Sequence, residues 1–120
     1  MIEVEIARRR GGRLPDSQGY ITKIKVRGHA GYAVHGEDIV CSAASAIAYT
    51  TAGALGALCG APDSCAKEDD GFFEIRIPDF PSGEISYRAE VITETAYIGY
   101  KQIEASYASY LKVKVLKLRS

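Results

Sequence analysis

From Ile39 to Pro62 the chain carries no charged residue, although 25% of the whole is Asp, Glu, Lys or Arg. The stretch is long enough to cross a bilayer. It is made mostly of Ala, Gly, Ser and Thr, however, and is too weakly apolar to prefer lipid over protein. A helix buried against a sheet is therefore the expected form. The flanking segments supply that sheet. Ile2, Val4 and Ile6 alternate with Glu3 and Glu5, and Thr22, Ile24 and Val26 alternate with Lys23, Lys25 and Arg27. Phe73, Ile75 and Ile77 alternate with Glu74 and Arg76, and Leu111, Val113 and Val115 with Lys112 and Lys114. Each is a period-two pattern with one apolar and one charged side, which predicts four strands of a sheet with one wet face.

Two helices are expected to cover the other face. Asp38 reads as the N-cap of the first, which runs to about Leu58. The second runs from about Glu84 to Tyr107, with Ile85, Ala89, Ile92, Ala96, Gly99, Ile103 and Tyr107 forming one stripe. Arg10-Gly11-Gly12 through Pro15-Asp16-Ser17 is turn material, and Asp63 to Gly71 reads as a polar surface loop. The predicted class is α+β: a two-layer α/β sandwich in the order β-β-α-β-α-β, its four-stranded, mostly antiparallel sheet carrying two helices on one face. A chain of 120 residues fits one domain, 1–120.

Charge and cysteine content narrow the function. There are 15 basic and 15 acidic residues, so the formal net charge is zero. The basic ones concentrate at the ends: 7 against 3 acidic up to Arg27, and 4 against none from Leu111. On a sheet, Glu3 and Glu5 can pair across strands with Lys23 and Lys25, which makes a solvated, partly paired face the expected outcome. The same face, with Lys23, Lys25, Lys112 and Lys114, carries the rival reading of a non-catalytic ribosome-associated module that binds RNA or protein. Three cysteines, Cys41, Cys59 and Cys65, are too few and odd in number for a disulfide framework. With no secretory segment at the start, a reducing cytoplasm is the expected compartment.

Reactive side chains concentrate in Gly28-His29-Ala30-Gly31-Tyr32-Ala33-Val34-His35-Gly36-Glu37-Asp38-Ile39-Val40-Cys41, between the second strand and the first helix. With Asp38 as cap, Cys41 falls at N3, where unpaired N–H groups and the helix dipole favour a thiolate. His29 follows a strand end, so its backbone is anchored while the chain beyond it can return toward Cys41. A Cys–His pair within hydrogen-bond reach is the minimum for nucleophilic acyl transfer. His35 is a less well-positioned rival base. Asp38 can cap the helix, orient the histidine, or do both. Zinc held by His29, His35, Cys41 and Glu37 or Asp38 lacks the tight ligand spacing of structural sites, and no metal or cofactor is expected.

Over this loop the chain resembles the ribosomal-processing cysteine protease family, Prp. The likeness rests on Gly28-His29-Ala30, Gly36, Asp38-Ile39-Val40-Cys41 and Ser45 one turn on, and extends to the length and the order of elements. It implies Cys41 as nucleophile, His29 as general base and acid, and Asp38 and Ser45 as supporting residues. It also implies removal of a short N-terminal extension from the precursor of large-subunit ribosomal protein twenty-seven, with cleavage after a hydrophobic, Phe-containing sequence. Family members form dimers, so a homodimer is expected. Gly28, Gly31 and Gly36 would then act as hinges of a loop that opens for an extended peptide. The basic insertion around Arg8–Arg13 and the alanine-rich first helix depart from the family pattern.

Overall fold

The computed structural model describes residues 1–15, 19–28 and 35–118, with 35–38 described as backbone. Strands β1 (Ile2–Arg9) and β2 (Tyr20–Arg27) precede helix α1 (His35–Cys59) and a short 3-10 turn, Asp63–Cys65. Strands β3 (Ala66–Asp69) and β4 (Phe72–Arg76), helix α2 (Gly83–Ser106) and strand β5 (Leu111–Lys117) complete the chain. The sheet has five strands in the order β3-β4-β2-β1-β5. It is mixed: β1 runs parallel to β5, and the β1–β2, β2–β4 and β3–β4 pairs are antiparallel. The α+β class stands and three of the four strand pairings are antiparallel, as expected, but the four-stranded sheet and the order β-β-α-β-α-β are corrected to five strands in the order β-β-α-β-β-α-β. The added strand is β3, within the segment expected to be a loop. Its only apolar residue is Ala66, so it shows no alternation, and it forms because Asp70 and Gly71 make a two-residue turn back into β4.

Both helices pack on the face formed by Ile2, Val4, Ile6, Ile24 and Leu111, where Val40 and Ala44 of α1 meet Ala96 and Tyr100 of α2. A second cluster joins Leu55 and Cys59 of α1 to Ile75 and Ala89. Gly99 lets the helices approach closely, since a Cβ there would lie 3.0 Å from Ile47 Cδ1. At the far end of α1, Gly60 adopts φ +71° and donates to the Gly56 carbonyl, while Ala61 donates to that of Leu55. That left-handed glycine ends the helix. The stretch Ile39–Cys59 is long and apolar enough to cross a membrane, yet here it forms the cover of a sheet, with Val40, Ala44, Ala48 and Leu55 buried.

The outer face of the sheet is a charge ladder. Lys67, Glu74, Lys25, Glu5 and Lys114 lie in register across all five strands and alternate in sign at each step. Opposite charges on neighbouring strands support the register. Among the described residues, the ion pairs on this face include Lys23 with Glu5 at 3.4 Å, Lys114 with Glu3 at 3.0 Å and Arg76 with Glu74 at 2.9 Å. Lys25 instead lies over the Phe72 ring. On the inner face, a bulge between Ala7 and Arg8 makes Ile21, rather than Thr22, the buried partner of Arg8. Arg8 is 4% exposed and bonds Glu94 of α2 through both terminal nitrogens, at 2.9 and 2.8 Å.

Candidate active site

Helix α1 crosses the sheet with Cys41, Ser45 and Tyr49 at steps of four, so all three fall on one stripe. They line one wall of a cavity of about 430 Å³. Ile2, Val26 and Arg27 form the floor and Phe72 and Phe73 the far wall, with Glu68, Asp69, Asp70 and Gly71 at the rim. A larger hollow, about 950 Å³, lies at the opposite end of the strands between Arg9, Tyr20, Phe80 and Glu90. No cysteine lines it among the described residues, so chemistry rather than size selects the smaller cavity.

The candidate residues are distributed as follows. Cys41 is half-buried and Ser45, also half-buried, is one turn beyond it on the same wall. Gly28 terminates β2 with φ +89°, and its N–H donates to the Gly71 carbonyl at 3.1 Å. A Cβ at Gly28 would come within 2.6 Å of the Met1 carbonyl oxygen. In this conformation the Gly28 backbone is held by Gly71 and packs closely on Met1. His29 and Gly31 lie outside the described residues. Gly36 is the second residue of α1, so its backbone belongs to the helix and not to a loop.

Asp38 requires a correction as well. The helix begins at His35, which places Asp38 fourth in its first turn and not at the cap. Acidic residues such as Glu37 and Asp38 favour the start of a helix without capping it, so winding need not wait for Asp38. Cys41 is consequently the seventh helical residue rather than N3. The helix dipole acts mainly within the first turn, so its pull on the Cys41 sulfur is weaker than it would be at N3. The side chains of His35, Glu37 and Asp38, with His29, would make up the zinc reading, and they lie outside the described residues. Among the described residues no cluster of His, Cys, Asp and Glu could hold a metal ion.

Cys59 and Cys65 are packed in the second cluster, and burial pushes both thiols up from their usual range, with Asp63 adding to the effect on Cys65. Neither is suited to act as a nucleophile. The site is held from behind by Tyr100, which is fully buried and donates its hydroxyl to the Ala44 carbonyl at 3.2 Å. Tyr49, Glu68, Phe72 and Phe73 were not legible as site residues. The one available signal was Asp70-Gly71 before Phe72-Phe73, a hairpin turn that brings Glu68 back beside Phe73.

Residues 1–112 match the family model described as cysteine protease Prp. The ribosomal processing cysteine protease Prp of Bacillus subtilis is 30% identical over 94 residues, 78% of this chain and 84% of that protein. The Staphylococcus aureus protein of the same name is 29% identical over 99 residues, 82% of this chain and 90% of that one. The crystal structure of the S. aureus ribosomal processing protease Prp with a substrate peptide superposes with a TM-score of 0.78 at 28% identity, covering 96% of this chain and 99% of that one.

Proposed function

The chain belongs to the Prp family of cysteine proteases, and on that premise we propose that it is a cytoplasmic endopeptidase that matures a ribosomal protein. The substrate is the precursor of large-subunit ribosomal protein twenty-seven, cut after a hydrophobic, Phe-containing sequence. Support comes from the S. aureus relative, which is a ribosomal processing protease crystallised with a substrate peptide. One observation in this chain carries the reading. Val26 and Arg27, the strand residues leading into Gly28-His29, line the same cavity as Cys41 and Ser45. Gly28, the residue before His29 in the sequence, is hydrogen-bonded to Gly71 of the same cavity lining.

In this reaction His29 removes the Cys41 thiol proton as the sulfur attacks the scissile carbonyl. The tetrahedral intermediate collapses, the C–N bond breaks, and the leaving amine takes that proton from His29. Water, deprotonated by His29, then cleaves the thioester and returns the thiol. Asp38 orients the imidazole and Ser45 supports the pair. The working form is a homodimer, for which Leu58, Tyr87, Val91 and Ile98 leave exposed apolar surface on the helical layer. The test is incubation of the purified protein with precursor peptide. Cleavage by the parent that is lost in Cys41→Ala supports the proposal, and equal cleavage by Cys41→Ala refutes it.

A further inference from the structure

The cavity beside Cys41 is closed at one end by a residue that the proposed chemistry does not use. Tyr49 stands two helical turns beyond Cys41. Its ring meets Phe73 edge-on, with centroids 5.3 Å apart and planes at 83°. Its hydroxyl donates to the Glu68 carboxylate, which also holds that phenol above its usual pKa range. A helix residue is thereby tied to an edge strand across β4, and the cavity ends at the tie. The eight residues from Cys41 to Tyr49 rise about 12 Å along the helix. An extended peptide advances about 3.3 Å per residue, so roughly three or four residues fit between the sulfur and the tyrosine. The lining is mixed: Val26, Phe72 and Phe73 give apolar contact, beside Arg27, Ser45 and the acidic rim.

We infer that Tyr49, braced by Phe73 and Glu68, is a specificity-determining residue that sets how far a bulky apolar peptide segment extends from the cut. This rests on the proposed protease reading, with the acyl side of the peptide lying along α1. Small side chains pass Tyr49 at the fourth residue before the cut, and large ones collide with its ring. Truncating the ring opens the cavity over β3 and removes that selectivity without touching the residue next to the cut.

The experiment uses fluorescein-labelled peptides with a Phe before the cut and Ala, Leu or Trp at the fourth residue before it. Relative kcat/KM is measured for the parent, Tyr49→Ala, Tyr49→Leu and Tyr49→Phe, and affinity for the same four tyrosine states in a Cys41→Ala background. The parent should prefer Ala over Trp by about tenfold, in the range that pocket size can supply. Tyr49→Ala and Tyr49→Leu should level that preference, and Tyr49→Phe, which keeps the ring, should retain most of it. An unchanged preference in Tyr49→Ala and Tyr49→Leu overturns the inference, as does a change confined to the residue adjoining the cut. Undiminished cleavage by Cys41→Ala would instead refute the protease reading, and the affinity series would still decide the role of Tyr49.

Discussion

Tyr100 of α2 places its hydroxyl 3.2 Å from the carbonyl oxygen of Ala44, one residue before Ser45 and three after Cys41. A single buried phenol thereby fixes the position of α1 where the candidate nucleophile is carried. With no solvent contact, burial also holds that phenol well above its usual pKa.

Tyr100→Phe should therefore keep the packing and lose the hydrogen bond. The Ala44 carbonyl lies inside a helix and retains its helical partner, so the expected loss is about 1 kcal/mol. Tyr100→Ala should cost about 3–5 kcal/mol by leaving a cavity. Urea unfolding of both variants measures the difference.

Arg8 and Glu94 join β1 to α2, with Arg8 lying 4.7 Å from the centre of the Tyr97 ring. Removing the carboxylate leaves a cation in a site 4% exposed. Glu94 is itself partly solvated, so Glu94→Ala should cost about 2–3 kcal/mol, below the range for fully buried pairs. Arg8→Met combined with Glu94→Leu should recover much of that loss in chemical denaturation, because apolar replacement of both partners leaves no unpaired charge.

Much of this architecture was legible in alternation and charge. Ile2, Val4 and Ile6 turned inward and Glu3 and Glu5 outward because a strand has no other way to sort them. Three features were not legible for physical reasons. Alternation carries no direction, so the parallel pairing of β5 with β1 appears only once α2 has crossed back over the sheet. A bulge reverses the faces locally, which put Ile21 inside in place of Thr22. Edge strand β3 needs few apolar residues, and its charged sequence resembled a loop. At the site, the step from Cys41 to Ser45 was visible as one helical turn. The aromatic wall required the β3–β4 hairpin to be folded first.

Acid should loosen the junction of α2 with β5. Glu104 accepts from Lys101 at 2.6 Å and from the Val113 backbone N–H at 2.7 Å, and the lysine, then that N–H, hold its carboxyl below the usual range. Its folded pKa is thus depressed. The stabilisation is complete above the unfolded value of about 4.5 and disappears as pH falls through the lower folded value. Glu104→Gln should be less stable than the parent at neutral pH, and the gap should close progressively below that point. Urea midpoints taken from pH 7 to pH 2 test this.

The three thiols should separate by reactivity. Burial raises Cys59 and Cys65, so iodoacetamide at pH 7 should modify Cys41 first, as read by peptide mapping. The rate at Cys41 should fall in His29→Ala if the imidazole assists the sulfur. Modification of Cys65 ahead of Cys41 would remove the basis for an activated sulfur.

Acyl transfer to Cys41 is tested most directly by acid-quenching the protein within its first turnover on a precursor peptide ester and mapping the adduct. A thioester on Cys41 alone, formed with a stoichiometric burst of leaving group and absent from Cys41→Ala, is the predicted result. A burst of equal size in Cys41→Ala, or an adduct on Cys59 or Cys65, would contradict the account.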